Sequence, residues 1–171
     1  DNSSYATSTD DYRYLYKRYR SDARLQAVHE RYAMIAVWDD HEFSDDCWGD
    51  AETYSNGTYN AATGDGDNTH QTARRRSANQ AWFEYMPADV SFDDTVSGFQ
   101  TIKIYRDFQF GNLAHLVMTD QRLYRSDLLI PEAAPNPATG QPLGEIGTRY
   151  MVPESLLYTQ VEAAKVAAGS S

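Results

Sequence analysis

Six apolar residues in a row, Ala33-Met34-Ile35-Ala36-Val37-Trp38, run directly into Asp39-Asp40-His41-Glu42. A run of that length, rich in branched side chains and without alternation, predicts a strand buried on both faces, the usual state in an α/β sheet. The acids then stand at the carboxyl end of a strand, where open α/β sheets bind ligands. Asp45 and Asp46 follow, so five acids fall within eight positions. Their mutual repulsion calls for neutralising cations or for side chains fanned into water. Carboxylate oxygens and an imidazole nitrogen are the donors that hard and borderline cations take. The competing reading is an acidic turn capping a following helix. Position favours the cation, because acids at the end of a buried strand are harder to solvate than acids in a loop.

The rest of the chain must supply that sheet with neighbours. Its 171 residues suffice for one domain with a real core. A formal net charge of -10 excludes broad attraction to phosphate backbones or anionic membranes, so no nucleic-acid regulator is expected. No apolar stretch approaches the ~20 residues that span a bilayer, and the amino-terminal Asp-Asn-Ser-Ser lacks the features of a signal segment. The single cysteine, Cys47, cannot form an internal disulfide.

Tyr12, Leu15, Tyr16 and Tyr19 recur at helical spacing and predict one buried stripe. A second helix, capped by Ser21 or Asp22, carries Leu25, Val28 and Tyr32. Residues 50–69 predict a surface loop. Its Asp65-Gly66-Asp67-Asn68 stretch fails as a calcium loop, since the sixth position is His70 and the twelfth Arg76. Ala78, Ala81, Trp82 and Tyr85 mark a helix ended by Pro87, with Arg74, Arg75 and Arg76 in its first half. The helix dipole disfavours cations there, and Asp65 and Asp67 are the expected offset. Ile102, Ile104, Phe108 and Phe110 alternate with polar residues, and Gly111-Asn112 separates them from Leu113 to Met118, which predicts a hairpin. Residues 131–147 hold too many Pro and Gly for an element and predict a second loop, before a helix over Glu154 to Ala168.

Four blocks stand in order along the chain: Tyr12-Arg13-x-x-Tyr16-x-x-Tyr19-Arg20-x-Asp22, then Val37-Trp38-Asp39-Asp40-His41-Glu42, then Ala78-x-x-Ala81-Trp82-x-Glu84-Tyr85-Met86-Pro87, and Phe110-Gly111-Asn112-Leu113 through Thr119-Asp120-x-Arg122-x-Tyr124-Arg125. Together they resemble the PhoD-like alkaline phosphatases over nearly the whole chain, from Asp10 to Val166. The resemblance implies an α/β fold, part of a layered α/β/β/α metallophosphoesterase sandwich. It implies hydrolysis of phosphate mono- or diesters at iron and calcium, with other divalent cations as alternatives, in the periplasm or outside the cell. In related metallophosphoesterases a triplet of Asn, His and an acid ends a strand. Asp40-His41-Glu42 looks like its equivalent, which makes Asp40, with Asp39 beside it, the metal ligand. His41 then takes the charge-stabilising or proton-donating role.

Glu42, Asp45 and Asp46 are expected in an outer shell or facing phosphate; family members often carry Asn shortly after the motif, where this chain has Asp45-Asp46-Cys47. The Gly-Asp-x-x-Tyr-Glu and Gly-Asp-x-His segments of the family do not occur. Residues 1–171 therefore resemble the middle portion of a larger metallophosphatase domain.

The other chemistry-bearing residues have blander readings. Cys47 reads as a buried spectator thiol rather than a ligand. His29 and His115 read as packing or surface histidines, and His70 as a loop residue with no partner. For Arg122 and Arg125, a structural pair with Asp120 or Asp127 outweighs a phosphate contact. Two rival functions stay open: a non-catalytic acidic domain that binds calcium or a partner through Asp39 to Asp50, and a glycosidase with paired carboxylates.

Overall fold

The computed structural model describes residues 6–52, 69–127 and 154–169. Contacts divide the chain into one unit of Asp1–Thr58 with Asp67–Ser126, and a second of Tyr59–Gly66 with Asp127–Ser171. The predicted loop at 131–147, most of the one at 50–69, and Asp65 and Asp67 lie outside the described residues.

In the first unit, helix α1 spans Thr9–Arg20. The Ser8 side chain accepts from the Asp11 backbone N–H while the Asp11 carboxylate accepts from Ser8, a reciprocal capping box. Acids fill the first turn and Lys17, Arg18 and Arg20 the last, each complementing the helix dipole. Half of the predicted stripe is used. Tyr12 is buried and donates its hydroxyl to the Phe43 carbonyl at 2.9 Å, and Tyr16 stacks on Tyr85 with ring centroids 5.6 Å apart. Leu15 and Tyr19 remain exposed. Helix α2, Ala23–Arg31, is capped by Asp22, which accepts from the backbone N–H groups of Arg24 and Leu25, yet buries no residue.

The segment 33–38 corrects the expectation of a strand buried on both faces. It is assigned to no strand, and Met34 and Ile35 are 45% and 39% exposed. A strand needs ladder partners, and among the described residues no strand pairs with this segment. The Arg106 guanidinium donates to the Ala36 carbonyl at 2.8 Å, a side chain standing where a ladder bond would. Only Trp38 is buried, its ring meeting Trp82 edge-on at 5.4 Å.

Strands β1, Ala51–Glu52, and β2, Thr69–His70, pair antiparallel. Helix α3, Thr72–Tyr85, follows and ends where the Met86 N–H meets the Trp82 carbonyl, one residue before Pro87. It packs against α1, and the Arg13 guanidinium forks onto the Glu84 carboxylate across that contact at 2.7 and 2.6 Å. Ala78 and Ala81 join Tyr12, Phe43 and Cys47 in one buried cluster; Trp82 joins Trp38, Ile102, Ile104 and Leu123 in another. Each fully buried aliphatic in the second cluster contributes roughly 2 kcal/mol.

The three arginines of α3 are each offset differently. Arg74 pairs with buried Glu52 and donates to the carbonyls of Ala6 and Phe43. Arg75 lies wholly inside, its guanidinium 4.6 Å from the Trp38 ring centroid and 5.0 Å from that of Phe43. Arg76 reaches outward to the carbonyls of Asp94, Val96 and Gly98.

The predicted hairpin divides in two. Strand β4, Ile102–Lys103, pairs with β3, Ser91–Phe92, whereas β5, Arg106–Phe110, pairs with β6, Ala114–Met118. Phe110 stands opposite Ala114, so the turn holds three residues, with Gly111 at φ +57°, a value that costs glycine nothing. In the second unit, α4 covers Glu154–Ala167, as predicted to within one residue. Among the described residues no helix is long and apolar enough to cross a membrane.

Two outcomes follow from this packing. Glu52→Ala leaves the Arg74 cation buried without its carboxylate and is expected to lower the unfolding free energy by about 3–5 kcal/mol in chemical denaturation; a loss below about 1 kcal/mol would mean the pair is not structural. The capping hydrogen bonds hold the Asp11 carboxyl at about 2, below its ordinary 3.8. Because the folded value is the lower one, its contribution is complete above 3.8 and vanishes as pH falls through about 2. The stability gap between wild type and Asp11→Asn, followed by thermal melts, should close across that window and stay constant above it.

Candidate metal centre

After Trp38 the chain makes a tight turn closed by the Asp40 carbonyl, which accepts from the N–H groups of Phe43 and Ser44 at 2.8 and 2.9 Å. The Phe43 ring is buried beneath, and Cys47 is buried at the far end with its thiol 3.7 Å from the same carbonyl. Burial pushes the Cys47 thiol pKa up, in keeping with an inert packing residue.

Asp40 braces the turn with its side chain. One carboxylate oxygen accepts from the His41 backbone N–H at 2.9 Å, the other from that of Asp46 at 2.8 Å. Burial raises its pKa, but the Asp46 N–H and the Arg122 cation outweigh burial and leave the carboxyl below the usual range. Asp46 itself sits at φ +45°, a left-handed backbone that Asp tolerates better than most residues. The Glu42 carboxylate accepts from the Asp39 N–H at 3.0 Å.

His41 is 80% exposed, and its Nε2 lies 3.0 Å from a carboxylate oxygen of Asp45. Asp40, His41 and Asp45 each offer one ligand atom, and these atoms all lie within 4.8 Å of one another. Two oxygens and one imidazole nitrogen fit an oxygen-preferring or borderline cation, with the remaining coordination positions left to water, substrate or further donors. Asp39 points elsewhere: its carboxylate is 75% exposed and is held by Arg122 at 2.8 Å. Beside the group, His41 and Glu42 form one wall of a cleft of about 200 Å³ whose other wall is Tyr12, Leu15, Tyr16 and Tyr19 of α1.

Two arginines reach the turn from the segment after β6. Arg122 contacts Asp39, Asp40 and Asp46, and Arg125 contacts Asp46 at 3.1 Å. The expected pairing with Asp120 is replaced by a different one: Asp120 accepts from the Trp38 indole at 2.9 Å and from the backbone N–H groups of Arg122 and Leu123. Asp120 thus fixes Trp38 and launches Arg122 toward the acids. The sequence signal for this partnership was the Asp120-x-Arg122-x-Tyr124-Arg125 block, whose target lies about 80 positions upstream.

The expectation that His70 lacks a partner is also corrected. Its Nδ1 lies 2.6 Å from a carboxylate oxygen of buried Asp50, and its ring meets Trp48 edge-on at 5.5 Å. Thr72 donates its hydroxyl to the same carboxylate. The β1–β2 pairing, which aligns Ala51 with His70, brings these residues together. His115 pairs with Asp107 across the hairpin at 2.8 Å, on an exposed face.

A sequence model of the family described as PhoD-like phosphatase matches residues 1–149. Alkaline phosphatase D of Bacillus subtilis (strain 168) is 33% identical over 127 residues, which cover 74% of this chain and 19% of that protein. A solved structure of PhoD superposes with a TM-score of 0.57 at 31% identity, covering 74% of this chain and 22% of that one. The chain therefore spans about a fifth of the length of each of these relatives. The structural match bears out the α/β fold class, while the described strands themselves form two-stranded pairs. With its matched segment covering the acidic turn, the α1–α3 contact and the arginines that reach the turn, this chain belongs to the PhoD-like phosphatase family.

Proposed function

We propose that this chain contributes part of the active site of a metal-dependent phosphoester hydrolase. The observation that carries the reading is the convergence on one turn, inside the family-matched segment, of the Asp40 and Asp45 carboxylates as cation donors with His41 beside them as the group facing the substrate. Iron and calcium are the metals proposed from the family resemblance, and phosphate mono- or diesters the substrates. A periplasmic or extracellular location belongs to the same proposal.

Bound there, a cation supplies Lewis-acid charge against the phosphoryl oxygens. Asp40, kept ionised by the Asp46 N–H and Arg122, is an oxygen donor already in its anionic form at neutral pH. Asp45 is the second oxygen and also orients the His41 ring through Nε2. With Nε2 set against Asp45, the ring leaves Nδ1 for the departing alkoxide, so His41 stabilises or protonates the leaving group and is not itself a ligand. The exposed Asp39 carboxylate acts through Arg122 rather than as a direct ligand.

Two substitutions in the intact protein test these roles. Asp40→Asn replaces a charged donor by a neutral amide and is expected to lower metal affinity about tenfold or more, with turnover falling in step. Unchanged metal content would remove Asp40 from the site. His41→Ala should retain metal and slow hydrolysis of an alkyl phosphate by about 100-fold or more, with a smaller defect on a nitrophenyl ester whose leaving group needs no proton. Equal defects on both substrates would reject His41 as the proton donor, and calcium binding without any turnover would favour the non-catalytic acidic domain.

A further inference from the structure

The acidic turn carries five acids but is closed by a cation from far along the chain. The Arg122 Nε donates to Asp39 at 2.8 Å, Nη1 donates to Asp46 at 2.8 Å and to the Cys47 carbonyl at 3.4 Å, and Nη2 lies 2.8 Å from Asp39 and 3.5 Å from Asp40. One guanidinium thus ties the first residue of the turn to its last two. The side chain is only 14% exposed, and its backbone is fixed on both sides: the N–H donates to Asp120 at 3.0 Å and the carbonyl accepts from Gly49 at 2.8 Å. Since all three guanidinium nitrogens already face acids of the turn, Arg122 is poorly placed to take a phosphate oxygen.

Resting on the metal-dependent reading above, we propose that Arg122 is a positioning residue for cation binding, acting through the geometry of its fork rather than through its charge. The path is short. Arg122 fixes the Asp46 side chain; the Asp46 residue, in left-handed backbone, donates its N–H to the Asp40 carboxylate; and that bond orients the carboxylate that gathers with His41 and Asp45. Arg122 also draws the Asp39 carboxylate away from the donor group, so that Asp39 neither crowds nor competes with it.

This makes a prediction whose sign differs from that of plain electrostatics. Charge alone says that deleting a cation beside Asp40 tightens binding of another cation. Positioning says that deletion loosens it, by the ten- to hundredfold typical of groups that orient metal ligands. The measurement is terbium(III) affinity of the intact protein, read by luminescence sensitised through tryptophan. Arg122→Gln is expected to weaken binding at least about tenfold, and Arg122→Lys, which keeps the charge and loses the fork, to weaken it severalfold. Arg125→Gln, which removes an equal charge from Asp46 but no link to Asp39 or Asp40, should bind at least as tightly as wild type.

Equal or tighter binding by Arg122→Gln would overturn the proposal, as would wild-type affinity in Arg122→Lys or an equal loss in Arg125→Gln. If Arg122→Gln does not fold, as judged by circular dichroism, the lysine variant alone decides. A wild type that binds no terbium, or whose binding Asp40→Asn leaves unchanged, brings down the metal reading itself, and the Arg122 proposal with it. That result is distinguishable because it does not involve Arg122.

Discussion

The acidic turn rests on a buried cation. Arg75 is enclosed beneath it, its guanidinium against the faces of Trp38 and Phe43, with Nη1 3.7 Å from the Cys47 sulfur. A desolvated cation over aromatic rings gains ~2 kcal/mol or more, which offsets part of a burial cost that would otherwise run to several kcal/mol. All three contact residues lie in or beside the acidic segment: Trp38 directly precedes it, Phe43 lies inside it and Cys47 directly follows it. Helix α3 therefore supports the turn electrostatically as well as sterically, through contacts different from those of Arg122. A peptide carrying these acids without α3 would lack both supports.

This arrangement explains which features were legible in the sequence. Helix α1 has its Ser8–Asp11 box, α2 its Asp22 cap and α3 its stop before Pro87, all within a few residues of the elements they define. The β5–β6 pair followed from alternation around Gly111-Asn112, though β4 proved to pair backwards with β3 rather than extend that hairpin. The segment 33–38 was misread because an apolar run specifies what a strand would bury, not whether a partner edge lies beside it. Arg106 at the Ala36 carbonyl, 70 positions away, could not be inferred from local pattern.

The same holds at the site. That acids and a histidine crowd together directly after Trp38 was readable from the sequence. Which of the side chains converge and which turn away was not, because it depends on Arg122, 83 positions beyond Asp39. Asp45, assigned an outer role from sequence, converges with Asp40 and His41, while Asp39 turns to the arginine. The partners of the α3 arginines were hidden for the same reason: Glu52, the rings of Trp38 and Phe43, and the 94–98 carbonyls are brought near by tertiary packing. His70 found Asp50 only through the short β1–β2 pairing.

The left-handed backbone of Asp46 has an evolutionary side. At φ +45° only Gly, Asn and Asp sit with little strain, so the position is closed to most of the amino-acid alphabet. Within that short menu the residues differ mainly in charge: Asp brings a full negative charge, Asn an amide of nearly the same shape, Gly neither. A lineage can therefore adjust the electrostatic potential of the turn by a whole unit through a single Asp–Asn exchange while the path of the backbone stays as it is. Shape and charge at this corner are separate variables, and selection can tune one without spoiling the other.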